Sequence, residues 1–176
     1  ARAYRARAPT PHPRPSSDDD DGDVAAERRA VAAARGATPP PPLAVDRLRV
    51  VYPGHGDAAD VVAVDDLSFQ VARGEVFGLL GANGAGKTST IDGLVRHAAP
   101  VAGDASIRGV SVLADFEAAS KGLGFVAQDN TLWPTLTCRD HLRLFARLRG
   151  AADGPAFEAK VDYTLDRLDL RRHKSK

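Results

Sequence analysis

Apolar residues along the chain fall into short runs whose period shifts between two and about three and a half, and those shifts mark out the elements. Leu48, Val50 and Tyr52 alternate with other residues and predict a strand. The turn-forming run Pro53 to Asp57 follows. Val61, Val62 and Val64, then Leu67, Phe69 and Val71, predict a second extended segment. After Ala72-Arg73-Gly74, residues Glu75 to Leu80 form a nearly all-apolar run, the pattern of a strand buried on both faces of a parallel sheet. The period then becomes helical from Thr88 to His97, with Ile91, Leu94 and Val95 on one side. Ala105 to Arg108 and Leu123 to Val126 read as two further strands. Thr137 with Asp140 three residues on makes a capping-box start, with Leu142, Phe145 and Leu148 on one face and Gly150 as the stop. A last helix is predicted from Pro155, with Phe157, Val161, Leu165 and Leu168 at helical spacing.

Between the apolar run and the helix lies Gly81-Ala82-Asn83-Gly84-Ala85-Gly86-Lys87-Thr88, followed by Ser89-Thr90. A glycine, four free positions and Gly-Lys-Thr, set between a strand and a helix, is the pattern of a loop that cradles phosphate. The glycines bring backbone N–H groups against phosphate oxygens without side-chain obstruction, and the helix start adds the positive end of its dipole. Lys87 supplies a mobile charge for the terminal phosphates, and the Thr88 hydroxyl is suited to ligate Mg²⁺. The competing reading is a glycine-rich turn that binds nothing; the strand before and the helix after count against it.

Composition bounds the rest. The 176 residues suit one ordinary domain, and a net charge of +1 makes no general case for nucleic acid or a membrane surface as partner. The single cysteine, Cys138, excludes an intramolecular disulfide framework and a cysteine zinc cluster, and reads as a small packing residue. His12, His55, His97, His141 and His173 are scattered without metal-ligand spacing. No apolar run approaches the roughly 18 residues of a membrane span, so the piece is expected to be soluble. No Met occurs, even at position 1, which leads to the expectation that the N-terminus is a fragment boundary. Residues 1–43, with an Arg/Ala/Pro-rich start, an acidic cluster at Asp18 to Asp23 and the proline run Pro39 to Pro42, read as a disordered linker. Within it Val24 to Arg35 is rich in helix formers and offers a short, charged helix.

The run from Val62 to Thr90, with Pro100 to Gly109, Gly124 to Gln128, Leu136 to Leu142 and Ala146 to Gly150, resembles the nucleotide-binding domain of ABC transporters, most of all the A subfamily of lipid exporters. Asp23 to Arg28 resembles the stretch that precedes the second such domain in that subfamily. The resemblance implies an α/β fold: a phosphate-loop NTPase core, an N-terminal antiparallel β portion and the start of a helical subdomain, with residues 44–176 a partial nucleotide-binding domain. It implies ATP and Mg²⁺ as ligands, with Tyr52 stacking on adenine, Gly81 to Ser89 around the phosphates, and Thr88 and Gln128 on the metal. Gln128 would also stand near the attacking water. An aromatic ring offers any purine a face, although a half-buried strand tyrosine has the same signature.

The chain departs from the family at Ala82 and Ala127, where Pro is common, and at Val95-Arg96, which replaces a small residue and glycine near the end of the loop helix. Phosphate contacts come mainly from backbone, so the first two are expected to leave them intact; the third bears on how the helix ends, with an effect the sequence does not specify. The family's signature, catalytic Glu and switch His do not occur in these residues, so the piece alone is not expected to turn over. The implied activity is that of an ABC-type ATPase at the cytosolic face of a membrane. Its implied partners are a second nucleotide-binding domain and transmembrane domains of the same transporter, and no nucleic acid. A nucleotide-binding module without turnover, or a soluble ABC protein acting on ribosomes or DNA, are the alternatives; an intact signature and catalytic Glu downstream, and membrane helices upstream, would discriminate them. In the family, later strands flank the phosphate-loop strand, so residues 44–176 expressed alone should expose Val76, Phe77, Leu79 and Leu80 and be poorly soluble or loosely packed. A sharp cooperative thermal transition of that piece would contradict this.

Overall fold

The computed structural model describes residues 22–56, 58–129 and 131–170 and divides the chain into two compact units, Ala1–Phe125 and Val126–Lys176. Residues 1–21 of the 1–43 stretch expected as linker, and His12, His173 and Asp57, therefore lie outside the described residues.

The first unit is built on a four-stranded antiparallel sheet. Strands β1 (Leu43–Tyr52), β2 (Val61–Val71), β3 (Ala102–Ile107) and β4 (Val110–Ser111) lie in the order β2-β1-β3-β4. The central strand β1 does not alternate evenly. Pairing with β2 slips between Val45 and Leu48, and Arg47 and Asp66 sit at φ 53° and 56° in the slipped region. The extra residue advances the phase, so Val45, Leu48 and Val50 all enter one apolar core, whereas Asp46 and Arg49 meet charged partners, Arg35 and Asp65.

Two helices of this unit pack on β1 and β2. Helix α2 (Lys87–Leu94) contributes Leu94 to the core beside Val50, Val64 and Phe69. Helix α1 (Gly22–Ala34) packs on β1 and β2, with Val31 fully buried, Arg28 2.9 Å from Asp66, and the Gln70 N–H donating to Glu27 at 3.0 Å. Residues 22–34 of the expected linker are thus a docked helix. Burying a valine stabilises by about 1.5–3 kcal/mol, more than a half-exposed ion pair, so Val31 does the anchoring and the charges set register.

Helix α3 (Phe116–Ser120) was not foreseen; Asp115 caps it, accepting from the Ala118 N–H at 3.0 Å. Two expected strands, Glu75 to Leu80 and Leu123 to Val126, carry no ladder among the described residues. A continuous apolar run specifies a strand only when partners flank it; without them Val76 is 98% and Leu80 90% exposed. Phe77 is held instead by stacking on Phe69 of β2, ring centroids 4.9 Å apart.

The second unit pairs helix α4 (Cys138–Leu148) with α5 (Pro155–Arg167). Thr137 and Asp140 close a capping box: the Asp140 N–H donates to the Thr137 hydroxyl and the Thr137 N–H to the Asp140 carboxylate. Phe157, Val161 and Leu165 are buried as expected, whereas Leu168 is exposed. The face α4 turns to them is Cys138, Leu142 and Ala146, not Leu142, Phe145 and Leu148; Phe145 and Leu148 are exposed. Small side chains at 138 and 146 leave room for Phe157. Charged flanks complete the pair: Arg143 forks onto Glu158 at 2.9 and 2.7 Å, and Arg139 bonds Glu158 and Asp162.

These bonds make the second unit acid-sensitive. The hydrogen bond from Thr137 holds the Asp140 carboxyl below its ordinary value, and the Arg143 guanidinium does the same for Glu158. Both carboxylates bind protons less readily folded than unfolded, so their stabilisation is present above pH 3.8 and 4.5 respectively and is lost as pH falls through the lowered values. Trp133, the single tryptophan, lies in this unit and reports on it. Its fluorescence midpoint in urea should fall between pH 6 and pH 3, and fall less steeply in Glu158→Gln; a midpoint independent of pH would contradict the assignment.

Candidate nucleotide site

The loop from Gly81 to Gly86 takes its shape from two left-handed residues and a close backbone approach. Gly84 and Gly86 both have φ 85°. Gly86 is the N-cap of α2, and a Cβ there would lie 2.3 Å from the Ala63 carbonyl oxygen of β2. Only glycine lets the helix start this close to the strand. The Ala85 N–H donates to Ala82 at 3.2 Å inside the loop, and the Thr90 N–H and hydroxyl both return to the Gly86 carbonyl, at 2.8 and 2.9 Å.

The N-cap makes no side-chain hydrogen bond. The N–H groups of Gly86, Lys87, Thr88 and Ser89 therefore keep the unsatisfied donors of a helix start, with the dipole's positive end behind them. Lys87 folds back so that its ammonium donates to the Gly81 and Ala82 carbonyls, both at 2.7 Å. An ammonium has three donors, so one remains beyond these two bonds. Thr88 is exposed at the helix start, as are Ala82, Asn83 and Ala85 in the loop; Ser89 is half-buried. The donor set is cationic and amide-rich, which suits a polyanion.

No group of three or more His, Cys, Asp or Glu that could hold a metal occurs among the described residues. A metal ion here would rely on the Thr88 hydroxyl and on oxygens of the anion it accompanies, which is how Mg²⁺ is commonly held beside phosphates.

Tyr52 ends β1, and its hydroxyl donates to the Asp92 carboxylate on α2 at 3.3 Å. Asp92 also lies 3.5 Å from His97 Nδ1. Tyr52 is thus tied to α2 through Asp92 in the helix's last turn, while the loop lies at the helix start. Gln128 belongs to the second unit and is exposed there. Asp92 was missed by sequence reasoning: it is 40 residues from Tyr52, and no spacing rule connects them.

The departure at Val95-Arg96 has a visible outcome. Helix α2 stops at Leu94 rather than His97, and Arg96 adopts φ 57°, where glycine is favoured. Its guanidinium reaches the Val112 and Leu113 carbonyls at 3.4 Å and lies over the Phe116 ring, offsetting the backbone strain. Cys138 is half-buried against the α5 core, as a packing residue.

A glycine loop ending in Gly-Lys-Thr at the start of a helix seated on an antiparallel sheet defines an α/β protein of the phosphate-loop NTPase class. The family model for ABC transporters matches residues 64–176, and the chain belongs to that family. It is similar to ABC transporter A family member 7 of Arabidopsis thaliana, 39% identical over 128 residues, which covers 73% of this chain and 14% of that protein. It is also similar to ATP-binding cassette sub-family A member 2 of Homo sapiens, 41% identical over 117 residues, 66% of this chain and 5% of that protein. The sequence is thus of the A-subfamily type, and it spans a small part of the curated relatives' length. Among solved structures, an ATP-binding subunit of an ABC transporter aligns with TM-score 0.61 and 30% identity, over 76% of this chain and 53% of that one. A dimeric ATP-binding cassette in a post-hydrolysis state with ADP and Pi shares the fold, with TM-score 0.63 and 21% identity, over 75% of this chain and 60% of that one.

The footing of the loop can be tested through its glycines. Gly84→Ala and Gly86→Ala both place a Cβ at φ 85°, at a cost of about 1–2 kcal/mol each, but only at 86 does the Cβ meet backbone. Gly86→Ala should therefore lower the urea midpoint, followed by far-UV circular dichroism, clearly more than Gly84→Ala. Equal losses would mean that the contact with Ala63 yields freely.

Proposed function

We propose that this chain is the ATP-binding part of an ABC transporter that couples ATP hydrolysis to transmembrane transport, with lipids as the transported class. The observation that carries the reading is the loop itself: Lys87 closed on Gly81 and Ala82, free amides at the start of α2, and the exposed Thr88 hydroxyl. The lipid assignment rests on the resemblance to the A subfamily.

In this reading, residues 81–89 bind the triphosphate through backbone N–H groups, and Lys87 turns from the loop carbonyls toward the terminal phosphates. The Thr88 hydroxyl would hold Mg²⁺, and the resemblance assigns Gln128 as its second ligand, near the attacking water. Tyr52 offers its ring to adenine. Bound Mg²⁺ supplies charge neutralisation on the phosphates, and the chain's own groups supply position and preorganised donors. Hydrolysis in the full protein also needs a signature sequence, a catalytic Glu and a switch His beyond these residues. A second nucleotide-binding domain would face this one, an arrangement supported by the dimeric cassette that shares its fold. Transmembrane domains of the same transporter would hold the domain at the cytosolic face of a membrane; among the described residues no helix is long and apolar enough to cross one. Glu75 to Leu80 would become a central strand once flanked by strands from the rest of the domain. In that assignment residues 44–176 are the partial nucleotide-binding domain, and residues 1–43 lead into it.

Mg·ATP affinity of the 176-residue chain and of Lys87→Ala, measured by titration calorimetry, tests the core of this reading. Loss of a charge-assisted contact of about 1.5–3 kcal/mol predicts an affinity at least tenfold weaker in the variant. Equal affinities would remove the role given to Lys87.

A further inference from the structure

Asp92 stands between the two parts of the site that sequence spacing treats separately. It lies on α2, five residues after Lys87, or about 7.5 Å along the helix axis at the usual rise. One oxygen of its carboxylate accepts from the Tyr52 hydroxyl at 3.3 Å; the other is 3.5 Å from His97 Nδ1. His97 is itself placed edge-on against Phe125, ring centroids 5.8 Å apart. The next residue, Gly93, sets the spacing between helix and sheet: a Cβ there would lie 3.2 Å from Val50 Cγ2, so α2 rests closely on β1 just below Tyr52.

Tyr52 has reason to need this restraint. It is the last residue of β1, only partly buried, and the chain leaves the sheet immediately after it. Apolar packing against the core fixes where the ring is, but not how its free edge is turned. A hydrogen bond from the hydroxyl is directional and fixes the turn. Its acceptor is on the same rigid helix whose first turn carries Lys87 and Thr88.

We infer that Asp92 is a positioning residue for the nucleobase: by holding the Tyr52 hydroxyl, it fixes the stacking ring relative to the phosphate-binding start of α2. The base and the phosphate tail are then engaged at a set separation, and the affinity contributed by the base depends on a carboxylate that touches neither. This inference rests on the nucleotide reading above and adds to it a residue and a coupling.

The test compares ligands with and without a base. Mg·ATP and Mg·tripolyphosphate affinities are measured on the 176-residue chain as wild type, Asp92→Ala, Tyr52→Phe and the double variant. Tyr52→Phe keeps the ring and removes only the hydroxyl, so it decides the question even if Asp92→Ala folds poorly. Each single variant should weaken Mg·ATP about three- to tenfold, the range of a net hydrogen-bond contribution. The double variant should be no weaker than either single, because both remove one interaction. Tripolyphosphate affinity should be unchanged throughout. Unchanged Mg·ATP affinity in Tyr52→Phe would overturn the inference and leave the nucleotide reading standing. So would a parallel loss for tripolyphosphate, which marks a role in holding α2 together, or additive losses in the double variant. A wild type that binds neither ligand would overturn the nucleotide reading, and this inference with it.

Discussion

How closely α2 can approach the sheet governs the first unit. Gly86 and Gly93 are seven residues apart, two helical turns, and so fall on one stripe of the helix. Gly86 meets the Ala63 carbonyl of β2, and Gly93 meets Val50 and Leu48 of β1. A glycine inside a helix costs about 0.5–1 kcal/mol relative to alanine. The close seat it permits puts Leu94 into the core with Val50, Val64 and Phe69, and burial of a leucine returns about 1.5–3 kcal/mol. The same seat fixes the start of α2, and with it the donors of Lys87 to Ser89. Packing and site geometry are thus one constraint, met at two residues without side chains.

The sheet below obeys a second constraint, set by the slip at Arg47 and Asp66. Without the extra residue, Val45 and Leu48 would point to opposite faces, and one of them would meet the charged side. With it, the apolar set is continuous toward α2, while Asp46, Arg49, Asp65 and Asp66 fall among Arg35, Arg28 and one another. That polar side is what α1 covers. Its arginines and glutamate read in sequence as the charges of a solvated linker helix, because their partners on β1 and β2 lie 11 to 43 residues away. The local hint is slight: two valines, Val24 and Val31, in a run of Ala, Arg and Glu, of which only Val31 is buried.

What the sequence made legible follows the same division between local and distant causes. Strands β1 and β2, the capping box at Thr137 and the proline start of α5 are written in neighbouring residues, and the structure has them. The phosphate loop is legible for the same reason: its turns and donors all lie between Gly81 and Ser89. The face of α4 is different. Leu142, Phe145 and Leu148 have the helical spacing of a buried stripe, but which of two possible stripes is buried depends on the partner helix. Phe157 selects the one with Cys138 and Ala146. Glu75 to Leu80 and Leu123 to Val126 fail as strands in the opposite sense: their patterns are correct for a central strand, and a ladder is a property of two strands rather than of one. The Tyr52–Asp92 bond leaves no trace in any local pattern.

The loop nevertheless keeps its form while the strand that feeds it carries no ladder, and the reason lies in β2. Before the loop, Phe77 stacks on Phe69; after it, Gly86 rests on Ala63. Both footings are on the same strand, six residues apart, and that strand is paired along its length with β1. The two ends of the loop are therefore fixed relative to each other through side-chain stacking and backbone contact, without a strand ladder from the 75–80 segment among the described residues. Inside that frame Lys87 closes the loop on Gly81 and Ala82. Addition of neighbouring strands would bury Val76 and Leu80 and stiffen the segment, but the spacing between the loop's entry and the helix start is already set by β2.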